Sequence, residues 1–471
     1  MPFDAVREGS TVHVAERPRD DLHPETGEFE SPLRRAIGPW MLLVFVVGDV
    51  LGAGIYALVG VVAGETGGAI WTAFLFATVL AILTAFSYAE LVTKYPQAGG
   101  AAVYVHSAFR VPFFTFVIAF TVMCSGLASA ATLSRAFAGD YLSEFVDLPV
   151  VLVAVGFLLV VALINFRGIS ESVKVNMALT AVEVTGLVII VLIGIVALAD
   201  GSGEPSRNFD FPADESVAFA IVGGAALSFY ALIGFEDAVN VAEETREPAR
   251  NFPRALFGGL LIAGVIYLLV TFTASMVVPT GQLTESDGPL LEVVREGPLG
   301  ISTRLFAAIA LLAVANGALI NMIMASRLVY GMSKQRVVPG IFNRVHPTRM
   351  TPIAAIAFTT VLAMILASLG DLSDLAGTTT TLLLFVFIAV NVAVLVLRRD
   401  RVGHRHFTAP SVLPMLAVAI ILFLLVRRAD DNPEYFAYAG ALVLFGVVLY
   451  GINRLLSGRE EPIDPRQLGG G

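Results

Sequence analysis

A single cysteine, Cys124, stands in the whole chain, so no intramolecular disulfide can form and nothing suggests a thiolate metal site. Charge is scarce as well. Asp, Glu, Lys and Arg make up 15% of the 471 residues against 56% hydrophobic ones, too few to cover a water-facing surface of that size. With a mean hydropathy of +0.79, an ordinary soluble globule is excluded and an all-α integral membrane protein is expected. Also missing are a phosphate-cradling Walker loop and the histidine and acid spacing of a metalloprotease. A membrane-embedded enzyme is therefore a minor alternative, and neither a cofactor, a metal ion nor a nucleic-acid partner is expected.

Apolar runs are what the chain has in abundance. Stretches of the roughly 20 residues that a bilayer crossing needs begin near Ile37, Ala69, Val111, Pro149, Asn176, Val217, Ala255, Thr303, Pro352, Ala376, Pro410 and Tyr435. These predict about twelve transmembrane helices. Residues 1–36 and 456–471 read as polar tails. The first apolar run lies well inside the chain and no small-residue cleavage site follows it, so no removed signal peptide is expected. Basic residues collect after the even-numbered spans: Lys94 and Arg110, Arg167 and Lys174, Arg246 to Arg254, Lys334 to Arg349, and Arg398 to Arg405. The opposite loops carry mainly acids, among them Asp140, Glu144, Asp210 and Asp371, with Arg427 and Arg428 as exceptions. By the positive-inside rule both termini of this multi-pass chain are cytoplasmic, in the cell membrane.

Two spans are interrupted near membrane depth. Gly52-Ala53-Gly54 breaks the first, and Gly234-Phe235-Glu236-Asp237 breaks the sixth. In hydrocarbon every backbone polar group must find a partner, so broken helix is tolerated only against protein, water or a bound solute. A polar stretch, Asp200 to Ser216, separates spans 1–5 (37–199) from spans 6–10 (217–397), and spans 11–12 occupy 408–455. An odd number of spans per half inserts the second half upside down, which predicts inverted repeats whose broken first helices meet at the midplane. The half-helix resuming at Ile55 offers free amides and the positive end of its dipole to a carboxylate. Carbonyls freed on Tyr230, Ala231 and Ile233 can accept an ammonium group. The two breaks together suit an amino acid, although a lone Gly-x-Gly also serves close helix packing.

At these residues the chain resembles the amino acid, polyamine and organocation transporter superfamily, most of all its bacterial amino acid permease and cationic amino acid transporter branches. The likeness rests on four motifs in order: GAGIY from Gly52, SYAELVTKYPQAGGAAVYVHSAF from Ser87, FYALIGFEDAVNVAEETREPARNFPRAL from Phe229, and SRLVYGMSKQRVVPGIFNRVHPTRMTP from Ser326. It implies the five-plus-five inverted-repeat, leucine-transporter-like fold plus two extra helices, with alternating access. It also implies that the carboxylate meets Gly52, Ala53, Gly54 and Ile55, that Val50 lines the pocket, and that Phe235 stands at an aromatic gate. The amine would meet Tyr230, Ala231 and Ile233. One departure concerns coupling. Where some proton-coupled relatives carry a lysine in the fifth helix, VNMALTAVEVTGL places Glu183. An acid at that depth can load and release a proton, so Glu183, with Asp49, is the expected proton site, and sodium is the alternative coupling ion.

A charge at the helix centre costs about 2.5–3.5 kcal/mol on insertion scales, so Asp49 should face the bundle interior, as a proton site, a ligand or a structural hydrogen bond. Glu236 orients the opened sixth span or pairs with nearby polar groups. Glu90 and Lys94, four residues apart at the end of span 2, read either as a helix-end pair or as a gate contacting arginines of the loop after span 6. Asn316 and Asn321 line the pocket or stitch helices together. Arg135 snorkels or pairs with Asp140, His106 is an interfacial residue, and His404 with His406 is a weak metal signal. The function expected is proton-coupled amino acid symport. Exchange of amino acids or amines and polyamine transport are alternatives of the same class, and a channel or transport-derived sensor is one of another class.

Overall fold

Helices form where the apolar runs fall, and Gly, Pro and short polar side chains mark their ends. The computed structural model describes residues 37–97, 99–167, 173–349 and 351–457. The tails expected at 1–36 and over most of 456–471 lie outside them. In chain order the helices are α1 Pro39–Val50, α2 Gly54–Thr66, α3 Ile70–Lys94, α4 Gly100–Phe109, α5 Pro112–Ala138, α6 Asp140–Ser143, α7 Val150–Arg167 and α8 Val173–Asp200. There follow α9 Val217–Ala231, α10 Pro248–Val277, α11 Thr280–Glu285, α12 Pro289–Glu296, α13 Thr303–Lys334, α14 Ile353–Leu369, α15 Leu372–Leu397, α16 Val412–Asp431 and α17 Pro433–Ser457. Proline opens α5, α10 and α12 at the position where its missing amide costs nothing. The side chains of Ser302 and Asp371 cap α13 and α15 by accepting from Leu305 and Asp374.

Among the described residues nine of these helices are long and apolar enough to cross a bilayer, or ten if α1 and α2, bent by 44° at the break, are one span. Helices α9 and α14 are apolar but shorter, and they stand where the sequence places the sixth and ninth spans. The largest displacement is at the seventh span, which starts at Pro248 rather than near Ala255 because the helix runs on through Pro253 and its flanking arginines.

The exposed faces suit lipid. Helix α7 buries Ala154, Leu158, Val161 and Asn165, a stripe at helical spacing. It exposes Leu152 (67%) and Leu163 (63%) on its other faces, an arrangement that water would not tolerate over a whole helix.

Two groups of helices pack among themselves. The first holds α1, α2, α3, α9 and α10, and the second α5, α7, α13 and α14. Helix α8 leans on α10 and α13, while α15 packs against α5 and α16. The polar stretch between α8 and α9 is docked rather than loose. Trp71 donates its indole N–H to the Asn208 carbonyl (2.9 Å), and the Gly68 amide donates to the Asp210 carbonyl (2.8 Å). At the opposite end of the first group, Ile37 exchanges backbone hydrogen bonds with Glu244 and Arg246 (3.0 and 2.9 Å), so the chain entering α1 is tied to the chain leaving the broken sixth span.

Candidate functional site

Both expected breaks are present, and they touch. Helix α1 stops at Val50 and α2 starts at Gly54, with no side chain capping that start, so the first amides of α2 keep their donor capacity. Helix α9 stops at Ala231; the chain turns through Gly234, which has φ +130, and continues as a 3₁₀ turn, Asp237–Val241. A Cβ on Gly234 would lie 2.6 Å from the Asp49 carbonyl oxygen. Only glycine supplies both that φ and that approach. A Cβ on Gly54 would meet Cα of Ala231 at 2.7 Å. The end of each broken helix is thus seated on the other.

Tyr267 of α10, fully buried, joins them. Its hydroxyl lies 2.5 Å from the Val50 carbonyl and 3.0 Å from the Ala231 carbonyl, donating between the two breaks. Sequence reasoning did not single out this tyrosine, because nothing in an apolar span marks which aromatic faces a break. Of the three carbonyls expected to be free, that of Ala231 therefore already accepts one hydrogen bond, and that of Tyr230 accepts from the Ile233 amide (3.3 Å). Ile233 itself lines a cavity beside the second break.

Val50, Ala53, Gly54 and Ile55 are buried, and Gly52 is partly exposed. Ala53 lies under α13, its Cβ 3.3 Å from where a Cβ on Gly317 would sit. Next to Gly317, the Asn316 amide donates to Oε1 of Glu183 at 3.1 Å. Glu183 is 1% exposed, and its Oε2 has no hydrogen-bond partner among the described residues. Its backbone carbonyl accepts from the Tyr56 hydroxyl (2.6 Å), and the Tyr56 carbonyl accepts from Tyr141 (2.7 Å). The start of α2 is in this way fastened to the residue on α8 that carries the buried acid. Asp49, Glu183 and the two breaks form one neighbourhood.

The cavity beside the second break is lined by Ile233, Glu236, Asp237 and Asn240 from the broken segment, by Ser125, Gly126 and Ser129 from α5, and by Asn321 and Arg327 from α13. Glu236 holds the turn open by accepting the Gly234 amide on Oε2 (3.0 Å). Tyr230 and Asn321 both reach Ser129, at 2.9 and 3.2 Å, so Asn321 lines the cavity and stitches helices at once. Phe235 does not line this cavity. It is fully buried between Tyr88 and Phe387, with ring centroids 5.7 and 5.6 Å away.

Glu90 and Lys94 lie in a separate cluster and correct two expectations. They do not pair with each other, nor with the arginines after the sixth span. Both oxygens of Glu90 are held by Arg398, at the end of α15 (3.1 and 2.8 Å), and Lys94 donates to the carbonyls of Leu397 and Asp400 (2.5 and 2.6 Å). Burial at 1% and 3% exposure demands fixed partners for both charges, and the end of α15 supplies them. Arg135 likewise pairs elsewhere than with Asp140, its Nε donating to the Ala367 carbonyl (2.7 Å), while Asp140 accepts from Ser286 and Gly288. His106 faces the Thr115 hydroxyl at 2.9 Å. Among the described residues no group of three or more His, Cys, Asp and Glu is placed to hold a metal ion.

Chemically, uncapped amides and turn carbonyls at one place, flanked by buried acids, answer a small molecule bearing a carboxylate and an ammonium group. A profile of the family described as Amino acid permease matches residues 37–446. The branched-chain amino acid permease BcaP of Bacillus subtilis (strain 168) is 26% identical over 444 residues, covering 89% of this chain and 93% of that protein. Cationic amino acid transporter 4, vacuolar, of Arabidopsis thaliana is 29% identical over 400 residues, 80% of this chain and 66% of that one. An uncharacterized transporter of Mycobacterium tuberculosis (strain ATCC 25618 / H37Rv) is 29% identical over 455 residues, 93% of this chain and 95% of its own length.

Proposed function

Because the chain belongs to the amino acid permease family, whose members are transporters and not enzymes, we propose that it carries an α-amino acid across the cell membrane by alternating access, as a proton symporter. The observation that carries this reading is the contact of the two broken spans, Gly234 against the Asp49 carbonyl with Tyr267 donating to both breaks. In it the α-carboxylate binds amides at Gly52, Ala53, Gly54 and Ile55 beside Val50, and the α-ammonium binds carbonyls at Tyr230, Ala231 and Ile233. The Ala231 carbonyl has a second lone pair to offer, and displacing the Tyr267 hydroxyl would free the first. Phe235, packed between Tyr88 and Phe387, stands at an aromatic gate. Glu183, with one oxygen unpartnered, takes up the proton, and Asp49 joins the two breaks.

The architecture proposed is twelve spans with both termini cytoplasmic: a first repeat at 37–199, an inverted second repeat at 217–397, and two further spans at 408–455. The division of the helices supports it. Spans 1, 2, 6 and 7 form one packed group and spans 3, 4, 8 and 9 the other, a division that an inversion carrying spans 1–5 onto spans 6–10 would preserve. A cationic amino acid or polyamine is the second reading, favoured by Glu236 and Asp237 lining the cavity.

Counterflow in proteoliposomes, with and without a proton gradient, tests the proposal: symport requires gradient-driven accumulation, whereas exchange alone points to antiport. Glu183→Gln is expected to abolish the pH dependence of uptake while leaving substrate exchange partly intact. Unchanged pH dependence removes Glu183 from the coupling.

A further inference from the structure

Between α15 and α16 the chain carries Arg398, Arg399, Arg401, His404, Arg405 and His406, with Asp400 the one acid in the stretch 398–411. Arg398 is committed inside the protein, donating to Glu90, to the Ala409 carbonyl and to the Ser411 hydroxyl. The Asp400 carboxylate accepts from the Tyr95 hydroxyl (2.5 Å), and the Phe407 amide donates to the Thr93 hydroxyl (3.0 Å). Lys94 donates to the carbonyls of Leu397, the last residue of α15, and of Asp400 in this segment. The connection is therefore a fixed strap, clamping the end of α3 to the end of α15.

What the strap shows outward is different. Arg399, Arg401 and Arg405 are exposed, and their guanidinium groups have no ion pair, hydrogen bond or ring contact among the described residues. Its flanks are exposed and apolar, the composition that suits hydrocarbon. Val396, Val412, Met415 and Leu416 are apolar and 38–62% exposed on the two helices that the strap joins. Three unpartnered guanidinium groups on a rigid backbone thus stand within a turn or two of lipid-facing residues, at the depth of the head groups. Each offers a planar fork that matches a phosphate oxygen pair.

We propose that the strap is a docking surface for anionic phospholipid head groups, and that a head group seated on Arg399, Arg401 and Arg405 stabilises the clamp between α3 and α15. Orientation of the chain explains the presence of positive charge on this side of the membrane. It does not explain why the segment is immobilised with three arginines turned outward.

The test is a thermal-unfolding series on the full chain in detergent, titrated with phosphatidylglycerol, phosphatidylcholine or inorganic phosphate. The midpoint of the unaltered protein is expected to rise with phosphatidylglycerol only. In the triple variant R399Q/R401Q/R405Q the apparent affinity for phosphatidylglycerol should weaken on the order of a hundredfold, while the midpoint without it stays that of the unaltered protein. The triple lysine variant should keep most of the rise. Should the triple glutamine variant not assemble, each single variant is expected to weaken binding roughly fivefold. An equal rise with phosphatidylcholine or with inorganic phosphate overturns the proposal, as does a glutamine series that responds like the unaltered chain. No transported solute enters this readout, so its failure leaves the transport reading standing.

Discussion

At the residue scale the site depends on glycines that differ in kind. Gly234 combines φ +130 with a 2.6 Å approach of any Cβ to the Asp49 carbonyl. Gly234→Ala should therefore lower stability by about 1–3 kcal/mol from backbone strain alone and abolish uptake, measured by denaturant unfolding and by proteoliposome flux. Gly126, on the cavity wall, is the contrast. A Cβ there meets Asn321 at an ordinary 3.6 Å, so Gly126→Ala should fold normally, raise KM for larger side chains and leave small ones nearly unaffected. Tyr267→Phe removes the hydroxyl shared by the Val50 and Ala231 carbonyls, with an expected loss of about 1 kcal/mol. Gly234 was legible because a glycine followed closely by two acids within an apolar run opens a helix and sets charge at membrane depth together. Tyr267 was not, since its role is set by helices that come together only in the fold.

At the scale of elements, apolar length and the glycine breaks were enough to place most helices and both interruptions. Interhelical partners were not legible. Glu90 and Lys94 sit four residues apart and invite a local pair, yet burial at the end of α3 sends them to residues some three hundred positions later. Removing one member of a buried pair leaves the other uncompensated, so Glu90→Gln should cost about 3–5 kcal/mol, whereas exchanging Glu90 and Arg398 together for Leu and Met should recover much of it. Thermal midpoints of the two singles and the double give the coupling directly. On the opposite side, the Thr303 hydroxyl, followed by Arg295, holds the Glu144 carboxyl below its usual range. A depressed folded-state value means stability that is present above the unfolded pKa, about 4.3, and is lost as pH falls through the folded one. Glu144→Gln should be less stable than the unaltered protein at neutral pH, and the gap should close in acid.

At the scale of the whole molecule, two packed helix groups meet where two spans are broken, and the cavity lies between them beside the second break. Sequence reasoning reached the breaks. It named Asn321, Ile233 and Glu236 but not the α5 wall of the cavity, because helix rotation, not composition, decides whether Ser125 and Ser129 face inward. Central to the proposed function is that backbone groups of both breaks hold the two ends of one zwitterion. Competition against labelled amino acid uptake tests this most directly, using for one side chain the intact amino acid, its decarboxylated amine and its deaminated acid. The intact compound alone is expected to compete effectively. Equal competition by the amine or by the acid would contradict a site that grips both ends.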